Sequence, residues 1–198
     1  MMRILAHQAY DIGHHGNCVD LASASVQLGK GRVDHHTQAL LLLTLAKAYA
    51  MNKERHQAVA TIGEAEATLH KARPDDERPL WAGMHGLSPA QFNNHVAKVM
   101  IDLGDLKGAE DHFKRSLTHY LNRDTMPRIY ALASTWLAEV QCMQGKVELA
   151  CSTWSEAFKL TEGIQSTRTI EAKNNMRRML SPYRRRGIPD VNRLLEAA

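Results

Sequence analysis

The chain has 198 residues, of which 44% are hydrophobic, and a formal net charge of +4 at pH 7. This length suffices for one domain with a substantial core, while no apolar run reaches the 18 residues of a transmembrane helix. The three cysteines are odd in number and form no Cys-x-x-Cys motif, which favours reduced thiols. The first residues show no signal-peptide pattern, so we expect a cytoplasmic protein without membrane contact.

The first predicted element is a helix pair over residues 3–28, with a break at residues 13–16. Apolar residues recur at helical spacing on both sides of this break. The pair matches the later pairs poorly, and an end repeat has only one neighbour to satisfy. We therefore interpret it as a degenerate repeat that caps the N-terminal end.

The next helix pair, over residues 37–72, has the clearest pattern in the chain. Each half carries one apolar face, and neither helix can bury that face alone. Asn52 and Lys53 separate the halves, and small Ala46 opposite small Ala58 allows close approach of the two backbones. The two apolar faces consist of Leu42, Leu45, Ala46, Tyr49, Ala58, Ile62, Ala65 and Leu69.

These positions resemble a tetratricopeptide repeat, with Leu45 and Ala46 at the Leu-Gly/Ala step and Tyr49 at the following aromatic. The same order recurs over residues 90–121 and 129–162. The recurrence predicts an all-α fold, a tetratricopeptide-type solenoid of helical hairpins with three clear repeats. The recurring positions are Val96, Ala97, Met100, Ala109, Phe113 and Ser116 in the second repeat, and Leu137, Ala138, Gln141, Ala150, Trp154 and Ala157 in the third.

The remaining segments connect or cap these pairs. Ser88 is predicted to cap the helix that begins at Pro89. A C-terminal capping helix is predicted over residues 166–181, and a short terminal helix over residues 190–197. We therefore expect one repeat domain over residues 1–198, in which Trp154 belongs to the core.

The residues that could carry enzymatic chemistry form no recognisable set. The adjacent histidines at 14–15 and 35–36 point to different helix faces and lack the His-Glu-x-x-His arrangement of zinc enzymes. No glycine-rich phosphate loop follows a predicted strand. We expect no enzyme, no metal and no cofactor.

A solenoid usually binds its partner on the concave face that its first helices form. Residues one step past the packing positions face that groove, and Lys47 and Lys98 could hold a carboxylate there. The alternative is that these residues form ordinary solvated helix faces. The predicted lining comprises Leu43, Lys47 and Met51, then Gln91, Asn94, Lys98 and Asp102, then Leu132, Thr135, Glu139 and Met143, and the candidate binding residues are Lys47, Gln91, Asn94, Lys98, Thr135 and Glu139.

The basic character of the chain lies at its C-terminal end. Residues 168–198 contain eight Lys or Arg and three Asp or Glu, a balance of +5. Arg184, Arg185 and Arg186 form the densest basic patch, and the alternative is a solvated linker. The sequence around this patch has no interleaved aromatics and no recognised DNA-binding helix pair. We therefore do not expect direct nucleic-acid binding.

The order of features from residue 79 onward also resembles the C-terminal repeat domain of actinobacterial helix-turn-helix transcriptional regulators. The segments that carry the likeness are VMIDLGDLKGAEDHFKRSL, STWLAEVQCMQGKVELA and LSPYRRR followed by VNRLL. The resemblance implies a domain that senses a ligand or partner and dimerises, whereas a separate domain binds DNA. No helix-turn-helix precedes residue 3 here.

We therefore expect a regulatory module that binds a peptide, a protein or a small-molecule effector, linked to transcriptional regulation. A homodimer is compatible with this interpretation. The alternative is a structural scaffold or dimerisation module without a ligand.

Overall fold

The structure, a computed structural model, describes residues 2–11, 14–73, 87–120, 127–164 and 166–197. Within these ranges every long regular element is an α-helix and no strand occurs, so the all-α prediction is confirmed. No described helix is both long and apolar enough to cross a membrane. The predicted loop around Trp81 falls outside the described ranges.

The chain divides into two compact units, an N-terminal unit of residues 1–105 and a C-terminal unit of residues 106–198. The single repeat domain over residues 1–198 stays a prediction. The helices of the N-terminal unit are α1 (Met2–Asp11), α2 (His15–Gly29), α3 (His35–Met51), α4 (Arg55–Leu69) and α5 (Pro89–Asp102). Those of the C-terminal unit are α6 (Leu106–Thr118), α7 (Pro127–Met143), α8 (Val147–Lys159), α9 (Thr167–Leu180) and α10 (Pro189–Ala197), with a 3₁₀ turn (Ser181–Tyr183) before α10.

Side-chain caps determine where two helices of the N-terminal unit begin. Asp34 precedes α3, and its carboxylate accepts a hydrogen bond from the Thr37 amide at 3.0 Å. Ser88 caps α5 as predicted, with Pro89 at the first helical position and Gln91 completing a capping box. Each cap satisfies backbone N–H groups that have no partner inside the helix.

The core of the N-terminal unit is rich in alanine. Ala46 of α3 and Ala58 of α4 are both fully buried, as expected if small residues allow these two helices to pack closely. Leu42 and Leu43 supply the largest fully buried side chains of this unit. The core is built from small residues where helices meet and from leucines between them, which is how helical hairpins bury their apolar faces.

The core of the C-terminal unit is organised around Trp154. This side chain is 0% exposed, so the prediction that it belongs to the core is confirmed. The capping helix α9 and the terminal helix α10 complete this core. Its other buried members are Ala138, Cys142, Val147, Ala150, Cys151, Met176, Leu180, Val191 and Leu194.

A buried carboxylate links α6 to the turn after α7. Glu110 is 3% exposed, and its carboxylate accepts hydrogen bonds from Lys114 at 2.7 Å, Lys146 at 2.7 Å and Gln144 at 2.9 Å. Burial by itself would raise the pKa of Glu110, but these three donors lower it to about 2. Glu110 is therefore ionised at neutral pH and joins segments that are 34 to 36 residues apart in the chain.

The turns that follow α3, α5 and α7 share one backbone geometry. Each places one residue in the left-handed region: Lys53 at φ 65°, Gly104 at φ 77° and Gly145 at φ 79°. Glycine adopts this conformation without strain, whereas lysine does not. Each turn also closes with a hydrogen bond from an amide to the carbonyl five residues earlier, namely Glu54 to Tyr49, Asp105 to Met100 and Lys146 to Gln141.

Candidate partner-binding face

The first helices of successive pairs lie next to one another within each unit. In the N-terminal unit α3 contacts both α1 and α5, and in the C-terminal unit α7 contacts α9. We use the term first-helix face for the surface of the N-terminal unit that contains Arg3 of α1, Thr44 and Lys47 of α3, and Lys98 and Asp102 of α5. Polar side chains on this face connect neighbouring helices.

Arg3 connects α1 to α3. Its Nε donates a hydrogen bond to the Thr44 hydroxyl at 3.2 Å, and that hydroxyl donates to the Leu40 carbonyl at 3.0 Å. Arg3 is half-buried, and burial lowers the pKa of its guanidinium. In the part of the chain that the structure describes, Arg3 forms no ion pair. It is a partly desolvated cation whose partner is a neutral hydroxyl.

Lys47 and Asp102 connect α3 to α5. The Lys47 Nζ lies 3.1 Å from the Asp102 carboxylate, and each side chain is 22% exposed. The pair is therefore formed but remains in contact with water. An ion pair in this setting competes with solvent and with any charged group that approaches the face.

The buried Cys18 thiol also senses Lys47. Burial raises the pKa of Cys18, and the positive charge of Lys47 opposes that shift. Burial likewise raises the pKa of Cys142, and it raises that of Cys151 to about 11. All three thiols are free and buried, so at neutral pH they are protonated and are poor nucleophiles.

Of the three candidate residues on α5, one caps the helix, one is buried and one is half-buried. The Gln91 side chain accepts a hydrogen bond from the Ser88 amide at 3.0 Å, so it caps the helix. Asn94 is only 7% exposed, and the prediction that it shares an open face with Lys98 is wrong. Lys98 is half-buried and lies one helical turn before Asp102.

The two candidate residues of the C-terminal unit lie on α7. Thr135 is 2% exposed and its hydroxyl donates to the Leu132 carbonyl at 2.8 Å, so the prediction that it lines a groove is wrong. Glu139 is half-buried and accepts a hydrogen bond from Asn175 of α9 at 2.6 Å. Glu139 therefore connects two first helices, as Lys47 does in the other unit.

Burial separates two positions that the sequence pattern treats alike. The residues three before the small alanine of each first helix are covered, whereas those directly after that alanine are half-exposed. Helical periodicity gives the direction of a side chain, but the neighbouring helix decides whether water reaches it. The covered residues are Leu43, Asn94 and Thr135, and the half-exposed residues are Lys47, Lys98 and Glu139.

Sequence reasoning missed Arg3, Thr44 and Asn175. Arg3 lies in the degenerate first pair, where no repeat register could be assigned. Thr44 falls between the positions that define the repeat. These three side chains are identified only by contacts between distant parts of the chain, 41 positions apart for Arg3 with Thr44 and 36 for Glu139 with Asn175.

Arg184, Arg185 and Arg186 lie in the turn between the 3₁₀ turn and α10, and all three are exposed. The predicted basic patch is thus a surface feature of the C-terminal unit.

Within the described ranges, no group of three or more His, Cys, Asp or Glu side chains could hold a metal ion. Of the histidine pairs considered from the sequence, His36 has its Nδ1 3.2 Å from the Leu87 carbonyl. This contact connects the start of α3 to the residue before the α5 cap, which is a structural role.

Consecutive helix pairs, a common turn geometry and neighbouring first helices define a tetratricopeptide-like helical repeat fold. Comparisons with known proteins test this assignment. No protein-family model matches the chain. No curated protein matches it either.

Solved structures do match. One is a single-substitution variant of a putative kinesin light chain with nearly identical TPR-like repeats from Podosopora anserina. It is 14% identical, with a TM-score of 0.66 over 99% of this chain and 90% of that chain. A second structure of that protein is 14% identical, with a TM-score of 0.65 over 99% of this chain and 92% of that chain. These matches confirm the tetratricopeptide-type fold, and the resemblance to helix-turn-helix regulators stays a prediction.

Proposed function

We propose that this protein is a non-enzymatic interaction module whose first-helix face binds an acidic segment of a partner protein or peptide. The observation that carries the proposal is Arg3, a half-buried guanidinium whose hydrogen-bond partner is the neutral Thr44 hydroxyl. A cation that has lost part of its hydration gains more from an incoming carboxylate than a fully solvated one. Lys47 lies three residues after Thr44 on the same helix and supplies a second positive charge.

The two cations contribute differently to this face. Lys47 already has Asp102 at 3.1 Å, so a carboxylate of the partner must compete with Asp102 for it. Arg3 has no such competitor among the described residues, because the ion pairs found there involve other side chains. Arg3 therefore contributes more to binding of the acidic segment, and the contribution of Lys47 depends on displacing Asp102.

The test begins with random dodecapeptides displayed on phage and selected against the purified full chain. A fluorescent copy of the enriched peptide then gives a dissociation constant by anisotropy. We expect acidic residues in the enriched peptides, and a 10- to 100-fold loss of affinity in Arg3→Gln, since a hydrogen bond to a charged group contributes about 1.5–3 kcal/mol. Arg32→Gln, at an exposed arginine after α2, is the matched control and should leave the affinity unchanged.

Asp102→Asn provides a second arm with the opposite sign. This substitution removes the internal competitor of Lys47 while keeping its size. The same peptide should therefore bind several-fold more tightly to Asp102→Asn than to the parent chain. Enriched peptides without acidic residues, or equal affinities for the parent, Arg3→Gln and Asp102→Asn, would exclude this face as the binding site.

The finer role is part of the proposal. The resemblance of residues 79–198 to the repeat domains of transcriptional regulators supports a regulatory, cytoplasmic module whose effector is a peptide, a protein or a small molecule. Transcript profiles of a gene-deletion strain, complemented with the parent or with Arg3→Gln, test this role. A profile that the parent restores and Arg3→Gln does not restore would connect the first-helix face to gene expression.

The second candidate is a scaffold or dimerisation module that takes no ligand. It is favoured by the two contacts that join neighbouring first helices, Lys47 with Asp102 and Asn175 with Glu139. A selected peptide at 100 times its dissociation constant should stabilise a binding module by about 2.7 kcal/mol, whereas a scaffold shows no such shift. Sedimentation velocity over a range of protein concentrations tests dimerisation separately.

A further inference from the structure

The C-terminal unit exposes a dense group of arginines that the proposed function does not use. Arg177 and Arg178 lie in the last turn of α9, and Arg184, Arg185 and Arg186 follow the 3₁₀ turn. We call these five residues the arginine surface. All five are exposed, and they fall within ten consecutive positions of the chain.

Neutral groups hold three of these guanidinium groups in place. Arg177 donates to the Asn174 side-chain oxygen at 3.1 Å, and Arg178 donates to the Asn175 side-chain oxygen. Arg186 lies over the Tyr183 ring, 4.9 Å from its centroid. These contacts orient the guanidinium groups. The Asn175 amide that accepts from Arg178 also donates to the Glu139 carboxylate, so Arg178 lies near a negative charge, whereas the contacts of Arg177 and Arg186 leave their positive charge uncompensated.

No carboxylate of the described residues forms an ion pair with the arginine surface. Asp190, which follows the surface in the chain, pairs with Arg193 at 2.6 Å. The helix dipole accounts for basic residues in the last turn of α9, but it does not reach the three arginines beyond the helix end.

The surroundings indicate what such a surface can bind. Among the described residues from 166 to 197, Ile170 near the start of α9 is an exposed large hydrophobic side chain, and the others are buried or half-buried. A protein partner or a membrane would therefore find a single apolar anchor here and no apolar patch. The aromatic ring of the surface, Tyr183, is half-buried and covered by Arg186, so it offers no face on which an unpaired base could stack. The remaining class of partner is one that carries negative charge and needs only positive charge on the protein.

We propose that the arginine surface binds the phosphate backbone of duplex nucleic acid without reading its sequence. The planar guanidinium fork matches phosphate oxygens, and several uncompensated arginines together supply the electrostatic attraction on which nonspecific binding depends. The absence of interleaved aromatics, which disfavours nucleic-acid binding when only the sequence is considered, bears on recognition of bases and not of the backbone. This inference does not rest on the proposed peptide site.

The test measures binding of the full chain to two 20-base-pair duplexes of unrelated sequence by fluorescence anisotropy between 25 and 200 mM salt. We expect equal affinities for the two duplexes. The logarithm of the association constant falls with the logarithm of salt by about 0.9 for each phosphate contact. Replacing Arg184, Arg185 and Arg186 by alanine should therefore reduce that slope by about 2.7 and weaken binding at least tenfold at 50 mM salt.

Two variants control for charge and geometry. Lys30→Ala, Arg32→Ala and Lys71→Ala together remove the same charge from exposed positions of the N-terminal unit and should leave the slope unchanged. Replacing the three arginines by lysine should keep the slope. Three results would overturn the proposal: no duplex binding at 25 mM salt, an equal loss in the two alanine variants, or tighter binding to poly-glutamate or to anionic vesicles than to duplexes.

Discussion

The two units use ion pairs in contrasting ways to connect segments that are distant in the chain. In the N-terminal unit, Lys47 and Asp102 face each other one to one and both remain 22% exposed. In the C-terminal unit the Glu110 side chain is 4% exposed and is surrounded by Lys114, Lys146 and Gln144. The Asp102 carboxylate remains in contact with water, whereas the Glu110 carboxylate depends on hydrogen-bond donors of the protein. Exposure thus separates the ion pair that we propose a partner recruits from the one that stabilises the fold.

Loss of apolar packing should lower the free energy of unfolding more than loss of either ion pair. Trp154→Ala removes a fully buried side chain from the core of the C-terminal unit, so we expect the free energy of unfolding to fall by about 3–5 kcal/mol. Thermal or urea unfolding followed by circular dichroism measures this loss. Trp136→Ala, at a half-buried ring 6.2 Å from Phe113, is the matched control and should lose less. Equal losses would mean that burial does not control the stability of this unit.

The buried carboxylate should make the C-terminal unit sensitive to acid. Because the folded pKa of Glu110 is about 2 and its ordinary value is 4.5, the unfolded chain binds the proton more tightly. The stabilisation that ionised Glu110 contributes is therefore fully present above pH 4.5. It is lost as the pH falls towards 2, which lowers the free energy of unfolding by about 3 kcal/mol in total. Urea unfolding at pH 7, 4.5 and 2.5 measures this loss.

Glu110→Gln isolates this effect from the other carboxylates, which also titrate. It keeps the size of the side chain but cannot ionise, so its stability should fall less with acid than that of the parent chain. We expect the parent to be more stable at pH 7 by about 1.5–3 kcal/mol, the contribution of hydrogen bonds to a charged group. A constant difference between the two chains from pH 7 to 2.5 would contradict the charged network around Glu110.

The half-exposed pair should have the smallest effect on stability. Asp102→Asn removes the charge that faces Lys47, and exposed pairs contribute about 0–1 kcal/mol. We expect a change in the free energy of unfolding below about 1 kcal/mol and a further decrease of that change in 1 M salt. A loss as large as that of Glu110→Gln would remove the contrast between the two units and would argue against Lys47 being available to a partner.

Periodicity in the sequence was enough to predict the helices and several of their ends. The pattern around Ala46 and Ala58 identified a hairpin because each repeat must bury the same apolar face. Ser88 followed by Pro89 identified the start of α5, since local chemistry satisfies the free amides there. The burial of Trp154 followed from the register of its repeat.

The polar side chains were harder to predict because their surroundings depend on distant segments. Asn94 and Thr135 occupy positions that a single helix would expose, yet both are buried. Glu110 lies on an amphipathic helix and would be expected at its edge, but donors 34 to 36 residues away enclose it. Helical phase gives the direction of a side chain, whereas solvent access depends on which helix packs beside it. The arginine patch was found from composition, but its lack of acidic partners required the structure.

The left-handed residue shared by the turns after α3, α5 and α7 makes these connections interchangeable parts. Where two of the turns place Gly104 and Gly145, the turn after α3 places Lys53, which carries a steric cost of about 1 kcal/mol that glycine avoids. Because the turns after α3 and α7 close with the same amide-to-carbonyl bond, the tripeptide 144–146 should fit at positions 52–54 without shifting either flanking helix. The α3–α4 and α7–α8 hairpins could then be exchanged or repeated to build longer arrays from this chain.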